Sequence, residues 1–263
     1  MTRTDKKIGG VEFRSVSRRY GKVTAVDRIS FKVEPGTLVT LLGPSGCGKT
    51  TTLRMIAGLE APSDGQILIG GRDVTLLPAT DRDVTMVFQS YALFPHMTSV
   101  YVTHDQEEAL AVSDRIIVMN RAVIAQEGTP ADLYRRPVSR FVADFMGISN
   151  LLDGTVTGRA DGRVTVRFGE AVLTLPDRGA PADEITVAVR PQAIRLAAEA
   201  GPDRLPVTVR KATYLGSHLE YVLDSSAGEL FVVDPTSDKP VPPGSGAWAT
   251  FREEGVALVP RGD

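Results

Sequence analysis

The chain lacks the features that would place it in an oxidising compartment or inside a bilayer. Cys47 is the only cysteine, so no intrachain disulfide can form and the pattern fits a reducing compartment. No apolar run approaches the roughly 18 residues that a membrane-crossing helix needs. The charged opening Met1-Thr2-Arg3-Thr4-Asp5-Lys6-Lys7 leads into Ile8-Gly9-Gly10, so no secretory leader is expected. Any membrane association is expected to pass through a partner. Aromatic residues make up only 6% and the formal net charge is −2, which leaves no basic face for a polyanion and argues against nucleic acid. With 42% hydrophobic residues in 263, the chain can bury the core of one large or two ordinary domains.

What is present is a phosphate-binding pattern. Leu38-Val39-Thr40-Leu41-Leu42 reads as a short buried strand and Thr51 to Ala57 as a helical run. Between them stand Gly43, Pro44, Ser45, Gly46, Cys47, Gly48, Lys49 and Thr50, the G-x-x-x-x-G-K-[ST] pattern in its strand–loop–helix context. The glycines permit backbone angles and close approach that side chains would block, so successive N–H groups can face one anion. The helix N-terminus adds to that field. Lys49 offers a point charge to outer phosphates, and the Thr50 hydroxyl is placed to ligate Mg²⁺. Cys47 puts its thiol beside a helix N-terminus, where acidity and protection by ATP against alkylation are expected.

Ahead of the loop, Val11-Glu12-Phe13-Arg14 and Ile29-Ser30-Phe31-Lys32-Val33 alternate and predict strands with one buried face. Arg18-Arg19-Tyr20-Gly21-Lys22 reads as a loop between them; its tyrosine either packs on a neighbour or offers a stacking platform for a base. After the loop, Gln66-Ile67-Leu68-Ile69 with Gly70-Gly71 predicts a hairpin, and Val84 to Gln89 a strand ending in glutamine. Asp105-Gln106-Glu107-Glu108 predicts a capping box ahead of Ala109-Leu110-Ala111.

Tyr20, Gly43 to Thr50, Met86-Val87-Phe88-Gln89-Ser90-Tyr91-Ala92-Leu93-Phe94-Pro95-His96 and Tyr101-Val102-Thr103-His104-Asp105-Gln106-Glu107-Glu108-Ala109 together resemble the ATP-binding subunit of an ABC importer. The wording is that of the branch with polyamine, ferric-iron and phosphonate importers. The resemblance implies an α/β P-loop NTPase core that binds ATP with Mg²⁺. It implies that Tyr20 stacks on adenine, that Gly43 through Thr51 hold the phosphates, and that Thr50 and Gln89 touch Mg²⁺. Gln89 is also implied as the relay to the membrane subunits, His104 as the switch histidine at the γ-phosphate, and His96 as contact surface for a permease. The implied partners are membrane-spanning permease subunits, a second ATP-binding subunit and, through the permease, an extracytoplasmic solute-binding protein. The implied location is the cytoplasmic face of the cell membrane, peripherally.

Between Gln89 and His104 the chain departs from the family pattern. The helical subdomain, the LSGGQ signature and an apolar strand ending in Asp-Glu are missing. Pro95-His96-Met97-Thr98-Ser99-Val100 runs straight into Tyr101, as if a block had been excised between about 99 and 101. The family is an ATP hydrolase. Here the metal-supporting aspartate and the glutamate that activates water are gone, so hydrolysis is expected to be crippled. The alternative is a non-hydrolytic nucleotide- or ligand-binding relic. Without the signature loop the nucleotide-sandwich dimer is expected to fail. The missing strand is expected to neighbour Leu38–Leu42, which would leave that strand with an unpaired edge.

The texture changes near Met146 to Leu152, which predicts an ATP-binding domain over 1–147 and a second domain over 148–263. Short alternating strands such as Val164-Thr165-Val166-Arg167-Phe168 and Val172-Leu173-Thr174-Leu175, separated by turn signals, predict a small all-β barrel. Ile185 to Gln192, Pro206 to Val209, Tyr214 to Ser217 and Leu219 to Leu223 resemble the OB-like TOBE domain of the same importers, with Gln192 where glutamate is usual after Arg-Pro. Fold alone confers no ligand site, so this domain is read as a stabilising appendage, with regulatory ligand binding as the alternative.

Overall fold

The computed structural model describes residues 9–82, 98–179, 183–201, 203–236 and 239–262. The chain divides into two compact units, Met1–Leu133 and Tyr134–Asp263.

In the first unit, β1 (Val11–Tyr20) and β2 (Val23–Val33) form an antiparallel hairpin. The strand β3 (Leu38–Leu42) follows, then α1 (Lys49–Ala57), β4 (Asp64–Ile69) and β5 (Arg72–Asp73). Further on come β6 (Ser99–Val102), α2 (Gln106–Val112), β7 (Arg115–Asn120) and β8 (Val123–Gly128). Two four-stranded sheets result, ordered β2-β1-β4-β5 and β6-β3-β7-β8. They share a core that includes Phe13, Phe31, Val39, Leu41, Met55 and Ile117, with the Phe13 and Phe31 rings stacked 4.5 Å apart. Fully burying aliphatic and aromatic side chains of this size contributes about 1.5–3 kcal/mol each.

Two expectations need correction. Arg18, Arg19 and Tyr20 are not loop: they complete β1, and Tyr20 pairs with Val23 across the turn. Register shifts between Phe13 and Arg19, with Ser15 at φ 49, break the alternation that would have shown the strand continuing. Nor is β3 left with an open edge. It pairs in parallel with β6, Leu38↔Ser99 through Leu41↔Val102, and on its other side with β7, Val39↔Arg115 through Leu42↔Val118. The strand entering the histidine motif takes the position beside β3. The join inferred at 99–101 falls inside β6, and the residues before it are tied to the β2–β3 turn by Ser99 N–H donating to the Thr37 carbonyl (3.1 Å) and Gly36 N–H to Thr98 Oγ1 (2.9 Å).

The junction carries α3 (Pro130–Arg135), with Pro130 opening it and Thr129 Oγ1 accepting from Asp132 N–H at 3.2 Å. In the second unit, α4 (Arg140–Phe145) is capped by Ser139, whose Oγ accepts from Val142 N–H. Ten strands follow: β9 (Asn150–Ala160), β10 (Arg163–Phe168), β11 (Ala171–Pro176), β12 (Glu184–Val189), β13 (Ile194–Ala197), β14 (Leu205–Tyr214), β15 (Leu219–Ser225), β16 (Gly228–Asp234), β17 (Gly246–Phe251) and β18 (Val256–Pro260). They form two five-stranded sheets, β11-β10-β9-β12-β18 and β13-β17-β14-β15-β16, over one apolar core. This is the small all-β, OB-like domain that the alternating pattern predicts.

Two polar side chains fasten it. Asn150 Nδ2 donates to the Val189 and Phe231 carbonyls while its Oδ1 accepts from Phe231 N–H, so one amide joins β9 to both sheets. Arg190 is buried and spreads its guanidinium over carbonyls, donating to Tyr134 (2.7 Å), Ala143 (3.1 Å) and Gly147 (3.0 Å) and to Ser149 Oγ (2.6 Å). It also lies 4.0 Å over the Tyr134 ring. Burial holds its pKa below the usual guanidinium value. Arg190→Leu strands several buried acceptors and is expected to destabilise the second unit by about 2–3 kcal/mol. Calorimetry should show a midpoint lowered by roughly 5–10 °C, and an unchanged midpoint would mean that water replaces the guanidinium at no cost.

Candidate functional site

The carboxyl ends of β6, β3 and β7 meet along one edge of the sheet, where ligands of open parallel sheets are held. β3 is nearly inaccessible from Val39 to Leu42, and even Thr40 is satisfied, its Oγ1 lying 2.5 Å from Ser113 Oγ. A strand this enclosed fixes the position from which the loop departs.

Three glycines shape the loop. Gly43, Gly46 and Gly48 have φ of 155, 78 and 109. A Cβ on Gly43 would run into the Met119 carbonyl, and one on Gly48 into the Ala25 carbonyl. The cradle is therefore closed against β7 and β2 in a way no other residue permits. Pro44, Ser45 and Gly46 face solvent, Lys49 and Thr51 are half-buried, and Thr50 is exposed. Lys49 Nζ donates to the Gly43 carbonyl (2.6 Å) and the Pro44 carbonyl (2.9 Å), so its charge is parked on the loop's own oxygens. An arriving phosphate offers that ammonium a stronger, charge-assisted acceptor. An anion fits this cradle.

Cys47 Sγ accepts from Lys49 Nζ at 3.7 Å. It is 3% exposed and belongs to the apolar core, with its Sγ near Gly43. The thiol is thus shielded without ATP, so slow alkylation alone does not report bound nucleotide.

His104 stands two residues beyond the Leu41↔Val102 pair, level in register with Gly43, and its side chain is exposed. Tyr20 ends β1 with its ring 44% exposed. Gln89, with Pro95 and His96, lies outside the described residues. The capping box forms by half. Asp105 Oδ1 accepts from Glu108 N–H at 3.1 Å, but Glu108 does not reach back. Its carboxylate accepts from Tyr101 Oη (2.8 Å) and Thr103 Oγ1 (2.7 Å), and Thr103 Oγ1 accepts from Asp105 N–H. The hydroxyls of Tyr101 and Thr103 outcompete the helix cap for that carboxylate. Asp114 sits at the opposite end of β3, accepting from Leu38 N–H. Among the described residues no group of three or more His, Cys, Asp or Glu side chains could hold a metal ion.

Two supporting residues escaped the motif reading. Thr52 Oγ1 donates to the Gly48 carbonyl at 3.0 Å and ties the first turn of α1 to the loop. Arg82 is buried at the other end of that helix, donating to the carbonyls of Met55 (2.6 Å), Ile56 (3.0 Å) and Leu77 (2.8 Å). A cation there complements the negative end of the helix dipole, and burial lowers its pKa. A buried arginine bonded to carbonyls has no sequence signature, because its partners are backbone.

Residues 26–137 match the ABC transporter family model and residues 187–259 the TOBE domain. The chain belongs to the ATP-binding subunits of ABC importers, with a TOBE domain following the P-loop core. It is 39% identical over 348 residues to the Fe(3+) ions import ATP-binding protein FbpC of Rhizobium etli, covering 96% of this chain and 98% of that protein. The protein of the same name from Brucella abortus is 38% identical over 346 residues, covering 95% and 98%. The spermidine/putrescine import ATP-binding protein PotA of Rubrobacter xylanophilus is 32% identical over 329 residues, covering 87% of each. All three alignments are longer than the 263-residue chain. The relatives therefore carry residues that have no counterpart here.

The burial of Cys47 makes a direct test of the loop. Iodoacetamide should label it at least about a hundredfold more slowly in the native chain than in urea; comparable rates would mean that the loop is not closed against β7.

Proposed function

We propose that this chain is an importer ATP-binding subunit that retains nucleotide binding and lacks hydrolysis. The observation that carries the reading is the closed glycine cradle on a doubly paired β3, set at a sheet edge where the Asp105 carboxylate caps a helix, that of Glu108 accepts from Tyr101 and Thr103, and that of Asp114 lies at the far end of the strand. ATP would lie with its phosphates along Gly43–Thr51, Lys49 leaving the loop carbonyls for them, and adenine on Tyr20. Thr50, with Gln89, would hold Mg²⁺, which supplies charge neutralisation between the outer phosphates. His104, in register with the start of the loop, is suited to the γ-phosphate.

The alignment lengths support loss of an internal block that includes the Asp-Glu strand. The glutamate that activates the attacking water would be lost with that block. The nucleotide-dependent dimer of the family would be lost with the signature loop. In this reading the ATP-binding domain extends over 1–147 and the TOBE domain over 148–263. No described helix is long and apolar enough to cross a membrane, which is compatible with a peripheral place at the cytoplasmic face against permease subunits served by a solute-binding protein. The names of the relatives point to ferric iron as transported solute, with polyamines second.

Equilibrium titration should show Mg²⁺–ATP binding that Lys49→Ala weakens at least about tenfold, the loss expected of a charge-assisted contact. Phosphate release should be the same for wild type and Lys49→Ala. Hydrolysis at a Lys49-dependent rate would overturn the proposal.

A further inference from the structure

Arg18 touches two neighbours, Tyr20 and Glu60. Its guanidinium carbon lies 4.4 Å from the centroid of the Tyr20 ring. Its Nη2 is 2.5 Å from Glu60 Oε1, in an ion pair whose side chains are only 23% and 19% exposed. Its Nε is buried with no hydrogen-bond partner among the described residues. A register shift falls between Arg18 and Arg19, and the Arg18 guanidinium covers the Tyr20 ring from within β1. Glu60 comes just after α1, whose end is marked by Gly58 in the left-handed conformation. The ion pair thus links the ring at the end of β1 to the segment leaving the phosphate-loop helix.

This arrangement constrains the tyrosine. The side chain is at the rim of a two-residue turn and 44% exposed, so nothing but the guanidinium holds a ring face in the contacts described. A cation on one face leaves only the opposite face for a second flat group. Fixing the ring in advance spares a ligand the cost of ordering it. An arginine is suited to this because its planar group stacks while its edge still pairs with a carboxylate.

We propose that Arg18 is a positioning residue for the base platform: held by Glu60, it occupies one face of Tyr20 and presents the other to the purine of the bound nucleotide. The role rests on the reading that Tyr20 stacks on adenine. It makes the base end of the site depend on an ion pair, Arg18–Glu60, that touches neither phosphate nor metal.

The experiment titrates two ligands, Mg²⁺–ATP and inorganic tripolyphosphate, which shares the phosphates and lacks the base. Arg18→Met and Glu60→Gln should each weaken ATP binding about three- to tenfold and leave tripolyphosphate unchanged. Arg18→Lys, which keeps the cation, should recover part of the loss. On a Tyr20→Ala background, Arg18→Met should cost nothing further. Equal weakening of both ligands, or an undiminished Arg18→Met effect without Tyr20, would overturn the role. Glu60→Gln preserves volume, so it tests the pair even where Arg18→Met does not fold. Lys49→Ala marks failure of the nucleotide site itself: if it changes neither ligand, both the site and the role of Arg18 fall, and this outcome is read without any Arg18 variant.

Discussion

β3 is hydrogen-bonded along both edges by parallel partners, and the phosphate loop has its shape because of that. Parallel strands are stable when enclosed, and the burial of Val39, Leu41 and Leu42 gives the loop a fixed origin. From that origin the path is forced. Gly43 turns against the Met119 carbonyl at the end of β7, and Gly48 passes the Ala25 carbonyl of β2. Of the two strands that flank β3, β7 is also a wall of the cradle.

The missing block makes this constraint informative. β3 has no open edge, because Ser99–Val102 pairs along it. The edge where nucleotide would react has a lysine, two threonines and a histidine, while Asp105, Glu108 and Asp114 are committed to other bonds.

The strand–loop–helix around Gly43–Thr50 and the β-rich second half were legible because each depends on local pattern: glycines at fixed spacing, or a switch to period-two alternation. The course of β1 through Tyr20 was not legible, since its bulges scramble that alternation. The partner of β3 was not legible either, because sheet order is set by packing between distant segments. Glu108 was misassigned because Asp-x-x-Glu looks the same whether its carboxylate turns to its own helix or to Tyr101 and Thr103. Arg82 and Arg190 were missed for a related reason: each neutralises buried carbonyls, which every residue has.

Hydrogen exchange at the β3 and loop amides tests the central claim most directly. With β3 clamped between β6 and β7, the amides of Thr40, Leu41 and Leu42 should be among the slowest to exchange in the first unit, and residues 43–50 should gain protection when ATP is added. Exchange of β3 at the rates of exposed loops, with or without ATP, would contradict it.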